Sequence, residues 1–499
     1  MNLANIIDTH PAEDVALISR GRTTTYGELR DQVARLRGGL QRLDLEPGER
    51  VAIVAANNWY AVVSYLAVLG SGFVAVPLNP QSPAAELQAE LRAVAASAVV
   101  LGPTSQGTFD EDDVRSVESI RHVVLTGSSS DALDLDELMA GEPGPVVDVE
   151  PSALAVLIFT SGTAGSPKAA KLTHANLFAN IQQALAAQPE RQSDSDVVFA
   201  LLPLFHIFGL NVVLGLSLAS GSRILLIERF DPASAIEAIE RHAVTVIAGP
   251  PTMWAAFAGM PGVAQTSFAS VRTAVSGAAK LPVEVAQAME ARAGVHIDEG
   301  YGLTEASPVV TSSAGTGAPF GSVGVPVPGL ELRILDEAGA DVLIGDVGNL
   351  VVKGPNVFAG YWEDDEATDR VLIDGWLHTG DTAVVDDAGF VYIVDRAKDL
   401  VIVSGFNVFP AEVEEVLLRH PAVAASAVVG VPHPYTGEAI RAYVQVRGGF
   451  SVEEEELVAF CADNLARYKC PNKVWFVEEI PQSITGKILR RFLSDQSFL

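Results

Sequence analysis

The residues of this chain that are best suited to chemistry stand in a loop of small and hydroxyl-bearing side chains. An apolar run over 154–159 leads into this loop, which reads Thr160, Ser161, Gly162, Thr163, Ala164, Gly165, Ser166, Pro167 and Lys168. Small residues let backbone N–H groups approach phosphate oxygens, hydroxyl groups add donors, and a lysine supplies positive charge. The G-x-x-x-x-G-K-[ST] phosphate loop is excluded, because Pro167 precedes the lysine and alanine follows it. By itself, the segment predicts either a phosphate site or a flexible surface loop.

Other polar residues of chemical interest are spread along the chain, and each has an ordinary structural explanation when it is taken alone. Tyr301 and Glu305 are singly more typical of a core aromatic and a solvated acid, and Asp381 is typical of a turn. His206, between two apolar neighbours, is more typical of a hydrogen-bonded core histidine, and Lys487 of a solvated surface charge. A functional interpretation of these residues therefore depends on the motifs that surround them.

Those motifs resemble the signature of the adenylate-forming superfamily, which includes acyl-CoA synthetases, adenylation domains of peptide synthetases and beetle luciferases. Seven motifs follow one another in the order of that family and cover nearly the whole chain. They are IFTSGTAGSPKAAKLTHAN (158–176), PLFHIFG (203–209), SGAAKLP (276–282), EGYGLTE (299–305), GWLHTGD (375–381), DRAKDLVIVSGFNVFPAEVE (395–414) and PQSITGKILRR (481–491). Within the superfamily, HIFG and SGFNVFPAEVE are more similar to acyl-CoA synthetases.

The resemblance implies a site for ATP and magnesium. It assigns nucleotide binding to Thr160, Ser161, Gly162, Thr163, Gly165, Lys168, Gly277 and Gly300. Tyr301 resembles the aromatic residue that stacks on adenine. Glu305 resembles the carboxylate that holds Mg²⁺ at the phosphates, with the hydroxyl of Thr304 nearby. Glu299 stands where relatives often carry an amide that reads the adenine amino group; a carboxylate accepts the same hydrogen bond but costs more to bury.

Three residues of the later motifs complete the implied nucleotide site. Asp381 resembles the acid that accepts hydrogen bonds from both ribose hydroxyls, and Arg396 resembles a second ribose or phosphate contact. Lys487 resembles the lysine that reaches the α-phosphate and the carboxylate oxygen of the acid. A positive charge at that point stabilises the charge that develops as the carboxylate attacks phosphorus.

The resemblance also implies a movement of the C-terminal domain and a pocket for the acid. Lys398 occupies the family's hinge position, where few residues need to absorb a rotation. That rotation presents the loop around Gly405 to the thiol. His206 is expected to line the acyl pocket, with Trp254 nearby.

The chain departs from the family pattern at three small residues. Ala164 replaces a common threonine and removes one hydroxyl donor, and Ala169 replaces a glycine that adopts positive φ easily. Ala278 stands where relatives often have glycine, and it is expected to narrow the acyl tunnel beside the adenylate. Activity is expected to survive, because Lys168 and the loop hydroxyls remain.

The resemblance implies a two-step reaction that uses ATP, Mg²⁺ and coenzyme A. A carboxylic acid attacks the α-phosphorus of ATP, which yields an acyl-adenylate and pyrophosphate and turns a carboxylate oxygen into a good leaving group. A thiol, expected to be that of coenzyme A, then displaces AMP. Small and apolar residues around 276–279 and 306–310 favour an acid with an uncharged tail.

Three other functions share parts of this pattern. A free-standing adenylation enzyme would load the thiol of a carrier protein, and a luciferase-type oxygenase would use the same framework. A binding or regulatory protein would keep the nucleotide site without catalysis, although retention of Glu305, Asp381, Arg396 and Lys487 favours an enzyme. The identity of the acid, the choice of thiol acceptor and the oligomeric state stay open.

Hydrophobic periodicity predicts the elements that must position these residues. Apolar spacing over 26–43 predicts an amphipathic helix, and the apolar run 50–57 predicts a buried strand. The same succession of helix and apolar strand recurs over 59–79 and 84–102. Repeated in this way, it is typical of an α/β fold with largely parallel sheets.

Two changes of pattern divide the rest of the chain. Short strands punctuated by Gly and Asp turns predict a β-rich subdomain at about 320–395, and a new alternation of helices and strands begins after residue 398. The sequence therefore predicts an α/β protein with a large multi-subdomain N-terminal domain over 1–397. A hinge is expected to join it to a small, mobile α+β domain over 398–499.

Composition excludes several other classes of protein. The net charge of −29, from 62 acidic and 33 basic residues, would repel a phosphate backbone and argues against nucleic-acid binding. Two cysteines form no disulfide framework and lack metal-site spacing, which fits a reducing compartment.

The N-terminal residues lack the pattern of a signal peptide, so a cytoplasmic protein is expected. The uncharged stretch 197–222 is long enough to span a bilayer, but Pro203, Asn211 and several glycines favour a buried core segment without a transmembrane helix.

Overall fold

The computed structural model describes most of the chain and divides it into two compact units. The described residues are 1–105, 109–126, 132–160, 168–188, 193–396, 401–403, 406–433, 437–465, 467–482 and 488–494. The first unit comprises Met1–Glu331 and Val352–Leu377, and the second comprises Leu332–Val351 and His378–Leu499. The predicted domain boundary at 397/398 falls outside the described residues and stays a prediction.

Helices alternate with the strands throughout the part of the chain that the structure describes. They are α1 (Tyr26–Leu40), α2 (Trp59–Gly70), α3 (Ala84–Ala93), α4 (Glu111–Arg115), α5 (Leu135–Met139), α6 (His174–Ala187), α7 (Leu216–Ser220), α8 (Pro232–His242), α9 (Pro251–Gly259), α10 (Val283–Ala293), α11 (Asp365–Val371), α12 (Pro410–Leu418), α13 (Glu454–Asn464) and α14 (Arg491–Ser494). A π-helix covers Phe208–Gly215, and 3-10 helices cover Leu3–Ile7, Gln265–Phe268, Thr304–Ala306 and Arg467–Lys469.

The first sheet is mostly parallel and ends in the hairpin that carries the small-residue loop. After the pair β1 (Val15–Ser19) and β2 (Arg22–Thr25), the chain forms β3 (Arg50–Val54), β4 (Val74–Leu78), β5 (Ala98–Leu101), β6 (His122–Leu125), β7 (Leu133–Asp134), β8 (Leu154–Thr160) and β9 (Lys168–Thr173). The seven strands from β3 onward lie in the order β7-β6-β5-β3-β4-β8-β9, and β9 runs antiparallel to β8. Parallel strands are buried on both faces, which is why they read as continuous apolar runs.

The second sheet carries the strand of the EGYGLTE motif at the end of its parallel part. Its later strands are β10 (Val197–Ala200), β11 (Arg223–Leu226), β12 (Val246–Gly249), β13 (Thr273–Ser276), β14 (Asp298–Gly302), β15 (Val309–Ser312) and β16 (Val325–Pro326). The order is β16-β15-β14-β13-β12-β10-β11-β1-β2, parallel from β1 to β14. SGAAKLP and EGYGLTE therefore emerge at the carboxyl ends of neighbouring strands, where α/β folds place ligands.

Two five-stranded sheets follow in the later part of the chain. One contains β17 (Glu331–Leu335), β18 (Gly348–Lys353), β19 (Leu372–Ile373), β20 (Trp376–Val385) and β21 (Val391–Arg396), ordered β17-β18-β20-β19 with β21 beside β20. The other contains β22 (Val401–Val403), β23 (Phe406–Val408), β24 (Val423–His433), β25 (Gly437–Val446) and β26 (Lys473–Phe476), ordered β23-β22-β25-β24 with β26 beside β25.

The predicted α/β class, with a parallel-rich N-terminal part and a smaller α+β C-terminal part, is confirmed. Helix α1 begins at Tyr26 because Thr25 and Glu28 form a capping box, in which each side chain accepts from the other residue's backbone N–H. The uncharged stretch 197–222 breaks into strand β10, the π-helix and α7. In the part of the chain that the structure describes, no helix has both the length and the apolar character needed to cross a membrane.

Candidate active site

The β8–β9 hairpin brings the two ends of the predicted phosphate loop together. Thr160 and Lys168 are paired across the antiparallel strands, and the Thr160 hydroxyl donates to the Lys168 carbonyl at 3.4 Å. The predicted ligands Ser161, Gly162, Thr163 and Gly165 lie outside the described residues. The hairpin thus fixes where the loop begins and ends, and its phosphate contacts stay predictions.

The ammonium group of Lys168 is held by two groups that the motifs did not identify. It forms an ion pair with the Asp364 carboxylate, and Nζ lies 5.5 Å from the centre of the Tyr361 ring. The hydrogen bond from the Lys168 ammonium holds the pKa of Asp364 below its usual value. Asp364 also accepts the Ala367 N–H at 2.9 Å as the N-cap of α11, so its position is fixed from two sides.

Tyr361 connects this lysine to the predicted magnesium ligand. Its hydroxyl donates to Glu305 Oε1 at 2.7 Å, and only 8% of the residue is exposed. Burial, together with the negative charge of Glu305, raises the pKa of Tyr361 well above its usual value, so the hydroxyl remains a donor. Lys168, Asp364, Tyr361 and Glu305 consequently form one continuous cluster of contacts.

The Glu305 carboxylate fits a magnesium ligand. It lies in the 3-10 helix Thr304–Ala306, half-buried, and within the described residues Tyr361 is its sole side-chain hydrogen-bond donor and leaves Oε2 without a partner. No group of three or more His, Cys, Asp or Glu side chains among those residues could hold a metal on its own. Mg²⁺ is usually bound by one or two carboxylates together with substrate phosphates, and Glu305 suits that mode.

Three buried asparagines fix the backbone that follows Glu305. Asn356 donates to the Ala306 carbonyl at 2.8 Å, Asn211 to the Ser307 carbonyl at 2.7 Å, and Asn180 to the Val309 carbonyl at 2.9 Å. Buried backbone carbonyls need such partners, because an unpaired one costs the full desolvation penalty. The amides therefore set the path of residues 306–309, although nothing in their local sequence indicated this role.

Glu299 is built into the backbone around it. The residue is 7% exposed, and its carboxylate accepts the Leu281 N–H at 3.3 Å and the Gly321 N–H at 3.2 Å. Burial raises the pKa of Glu299. Its carboxylate ties the SGAAKLP loop to the loop at 321, and its predicted contact with adenine stays a prediction.

Two of the predicted nucleotide-site glycines, Gly277 and Gly300, stand where a side chain would crowd its neighbours. A Cβ at Gly277 would lie 2.8 Å from Phe208 Cε1, and one at Gly300 would lie 3.2 Å from the Thr311 carbonyl oxygen. Ala278 adopts φ 71°, a left-handed conformation that favours glycine. Tyr301 is half-buried and is paired with Thr311 across β14 and β15.

His206 precedes the π-helix and is hydrogen-bonded to it. Its Nδ1 accepts the Phe208 N–H at 3.2 Å, which assigns the proton of the neutral ring to Nε2. Trp254 has no exposed surface and donates from Nε1 to the Val275 carbonyl at 3.3 Å within the core of the second sheet. Their expected roles at the acyl pocket stay predictions.

The second unit carries the predicted ribose residues on neighbouring strands. Asp381 on β20 and Arg396 on β21 are register partners, and Asp381 is 5% exposed. The side chain of Arg396, and all of Lys398, Gly405 and Lys487, lie outside what the structure describes. Close to Lys487, Gln482 and Ile488 are joined by an antiparallel bridge, and Arg490 pairs with Glu414 at 2.8 Å.

The structure thus brings Lys168 and Glu305 into one cluster through Tyr361 and Asp364, which sequence reasoning missed. Tyr361 is 56 residues from Glu305, and Asp364 is 196 residues from Lys168. No periodicity or spacing relates residues that far apart. The segment FAGYWEDD offered no signal except an aromatic and acidic composition.

Two family models match most of this chain. The model described as "AMP-binding enzyme" matches residues 3–362, and the model described as "AMP-binding enzyme C-terminal domain" matches residues 412–487. The first match alone covers more than half of the 499 residues.

Curated and solved relatives are similar over nearly their whole length. A long-chain-fatty-acid–CoA ligase of Bacillus subtilis is 34% identical, with 97% of this chain and 92% of that protein covered. A feruloyl-CoA synthase of an Amycolatopsis species is 37% identical, with coverage of 94% and 93%. The crystal structure of ATP-bound MatB from Rhodopseudomonas palustris is 31% identical and superimposes with a TM-score of 0.91 over 99% of this chain and 98% of that one. The chain therefore belongs to the AMP-binding enzyme family, the adenylate-forming enzymes that include the acyl-CoA synthetases, as its seven motifs predicted.

Proposed function

We propose that this chain is an acyl-CoA ligase that couples an apolar carboxylic acid to coenzyme A at the expense of ATP. The observation that carries the proposal is the cluster in which Lys168 and Glu305 are both held by Tyr361. In this cluster the ammonium of Lys168 and the carboxylate of Glu305 both contact the side chain of Tyr361. The relatives of this chain include CoA ligases. A lysine binds an anionic phosphate, and a carboxylate with an oxygen that has no protein partner can coordinate a hard cation such as Mg²⁺.

The chemistry asked of these residues is mainly charge stabilisation. A carboxylate is a poor acylating agent, because its leaving group would be oxide. Transfer of the adenylyl group from ATP to the acid, with pyrophosphate as the leaving group, solves this problem, and Lys168 with the loop 160–168 would hold the phosphates during that transfer. Mg²⁺, when held by Glu305, would neutralise charge on the phosphate oxygens. Lys487 would supply further positive charge at the α-phosphate.

The remaining nucleotide contacts belong to the same proposal. Tyr301 would stack on adenine, and Asp381 with Arg396 would bind the ribose. The register pairing of Asp381 and Arg396 supports a shared task, because it holds the two backbones side by side. Lys398 would act as the hinge of the C-terminal domain, and Gly405 would approach the thiol.

The class of acid is proposed from the relatives and from the pocket motifs. The two ligases named above act on long-chain fatty acids and on ferulate, according to their names, and both acids have an uncharged, largely apolar body. In this chain Phe208 lies close against Gly277, so the segment at the predicted acyl pocket is apolar. An uncharged fatty or aromatic acid is therefore proposed as the substrate.

Coenzyme A is the proposed acceptor, and the thiol of a carrier protein is the alternative. The names of the relatives support coenzyme A.

A cytoplasmic location is part of the proposal. It agrees with Cys461 and Cys470, which are both free thiols, as expected in a reducing compartment.

The test is pyrophosphate release by the purified protein with ATP and Mg²⁺, across short, medium and long-chain acids and aromatic acids, with and without coenzyme A. One acid class should release pyrophosphate, and AMP and acyl-CoA should form only when coenzyme A is added. Release without acyl-CoA in any sample would favour a carrier-protein acceptor. A lack of release with every acid would contradict the proposed ligase and favour a nucleotide-binding protein.

The matched control is Glu305→Gln, which keeps the size of the side chain and removes its charge. We expect this variant to lose pyrophosphate release about 100-fold or more, because metal-assisted charge stabilisation contributes several kcal/mol. Release that persists in Glu305→Gln would come from a contaminating ATPase or from a site elsewhere on the chain.

A further inference from the structure

The segment that contains Tyr361 lies alongside β9 and is joined to it by backbone hydrogen bonds and one antiparallel β-bridge. Ala359 donates to the Lys171 carbonyl at 2.9 Å, Lys171 donates to the Gly360 carbonyl at 2.9 Å, and Trp362 donates to the Ala169 carbonyl at 2.8 Å. The bridge between Ala170 and Tyr361 stands in the middle of this ladder. Tyr361 is therefore fixed in register with the strand that begins at Lys168.

The side chain of Tyr361 is packed on a rigid support. Its ring meets the ring of Phe358 edge to face at 5.0 Å, and its backbone N–H donates to the Thr368 hydroxyl at 2.9 Å. The backbone is held on the other side as well, because the Phe358 N–H donates to the Glu305 carbonyl at 2.8 Å. A phenol held in this way has little freedom to move when its hydroxyl loses a partner.

Two functional groups of the proposed ATP site converge on this one ring. The hydroxyl donates to Glu305 Oε1 at 2.7 Å, and the ammonium of Lys168 lies over the ring at 5.5 Å from its centre. Asp364, three residues further on, completes the hold on Lys168 through its ion pair. The strand pairing thus sets the distance between the lysine and the carboxylate.

We propose that Tyr361 is a positioning residue for the metal–ATP site. It fixes one oxygen of Glu305, which would leave the other oxygen for Mg²⁺ when the metal is bound, and its ring together with Asp364 holds the ammonium of Lys168 in place. The role of Glu305 in this inference rests on the proposed function. Nothing in the motifs assigns a role to Tyr361.

The physical reason is the freedom of a glutamate side chain. A glutamate that must adopt one rotamer to bind a cation loses side-chain entropy on binding, unless a neighbour has already fixed it. Carboxylates that bind metals are commonly held by such a hydrogen bond, and its removal costs about 10- to 100-fold in metal affinity.

The experiment measures ATP binding by titration calorimetry, without any acid present, once with Mg²⁺ and once with EDTA. The quantity of interest is the dissociation constant of ATP in EDTA divided by the dissociation constant of ATP with Mg²⁺. This Mg²⁺ ratio reports how strongly the metal assists binding. Tyr361→Phe removes only the hydroxyl and should lower this ratio about tenfold. Binding in EDTA should be nearly unchanged, because the ring that faces Lys168 is retained.

Tyr26→Phe is the matched control. Tyr26 is likewise a buried tyrosine of the first unit, and its hydroxyl donates to the Ser222 carbonyl at 2.9 Å, far from the proposed site in sequence. It loses the same atom and a hydrogen bond of similar length, so its thermal stability should fall comparably while the Mg²⁺ ratio stays at the wild-type value. An equal fall of the ratio in both variants would overturn the inference, because it would reflect general loosening.

A second variant tests whether Tyr361 acts through Glu305. In a Glu305→Gln background, Tyr361→Phe should produce no further change of the Mg²⁺ ratio, since the carboxylate that it positions is gone. An additional tenfold fall would overturn the inference. If the protein binds ATP with this Mg²⁺ dependence but releases no pyrophosphate with any acid, the proposed ligase fails while the role of Tyr361 stands.

Discussion

The two carboxylates of EGYGLTE are held in opposite ways. Both oxygens of Glu299 accept backbone N–H groups, and the residue is almost completely buried. Glu305 is half-buried, and among the residues that the structure describes it receives one side-chain hydrogen bond, from Tyr361. Glu299 is therefore part of the framework of the site, whereas Glu305 keeps coordination capacity for a ligand.

Glu299 leads to a prediction about pH. Burial raises its pKa, so the folded state binds a proton at a pH where the unfolded chain does not. Its contribution to stability is then fully present below the unfolded value of 4.5 and is lost as the pH rises through the folded pKa. We expect the midpoint of thermal unfolding of the wild type, relative to Glu299→Gln, to increase as the pH falls from 7.5 to 5.5.

The control for this measurement is Glu454→Gln. The hydrogen bond from Lys473 lowers the pKa of Glu454, so its stabilisation is present at neutral pH and is lost as the pH falls. Because that loss occurs only below the unfolded value of 4.5, the midpoint of Glu454→Gln relative to the wild type should stay constant between pH 7.5 and 5.5, whereas that of Glu299→Gln should change. A difference in unfolding midpoint between the wild type and Glu299→Gln that stays constant with pH would contradict the prediction that the pKa of Glu299 is raised in the folded state.

A largely buried ion pair fixes the last described segment to helix α12. Arg490 donates to both oxygens of Glu414 at 2.8 Å, and the two side chains are 19% and 10% exposed. Glu414 also accepts the Val428 N–H at 2.7 Å, which ties α12 to β24. One carboxylate therefore joins a helix, a strand and the segment that follows Lys487.

Removal of one partner of this pair should be costly. We expect Arg490→Met to destabilise the local structure by about 3–5 kcal/mol, because it leaves the Glu414 charge buried without its partner. The double variant Glu414→Met/Arg490→Met should recover most of that loss, since no unpaired charge remains. Amide hydrogen exchange in α12 and β24 measures both effects as changes in the free energy of local opening.

Lys473→Met is the comparison for an exposed pair. The Lys473 side chain is 56% exposed and pairs with Glu454 at 2.7 Å. An exposed pair of this kind contributes less than about 1 kcal/mol. If Arg490→Met cost no more than Lys473→Met, the pair with Glu414 would have no special role in holding the C-terminal segment.

At the scale of the whole molecule, the proposed reaction has two steps that require different residues. On the motif resemblance, Lys487 acts only where charge develops at the α-phosphate, which is in the first step. We expect Lys487→Ala to lose most pyrophosphate release while supplied acyl-AMP still reacts with coenzyme A. Lys473→Ala, which removes another lysine close in sequence, should leave both steps intact.

The measurement is a comparison of the two half-reactions, each followed alone in rapid-quench experiments. Because both are measured on one preparation, a folding defect would lower both rates together and would be visible in the thermal unfolding of the variant. An equal loss in the two half-reactions by a folded Lys487→Ala protein would remove Lys487 from its proposed role.

Local features of the sequence determined the elements and the family. The capping box at Thr25 and Glu28 starts α1, and the continuous apolar runs of β3, β4 and β5 identify strands buried on both faces. These features depend on residues a few positions apart, so a single sequence contains all the information they need. The seven motifs identified the family for the same reason, because each is a short run of neighbouring residues.

Tertiary structure alone decided how the site is supported. Tyr361 reaches Glu305, and Asp364 reaches Lys168, because residues 359–362 pair with β9 in one particular register. The two backbone hydrogen bonds that Glu299 accepts likewise depend on where the loops at 281 and 321 lie. Such contacts follow from strand order, direction and register, and these are properties of the packed chain that no local period or spacing encodes.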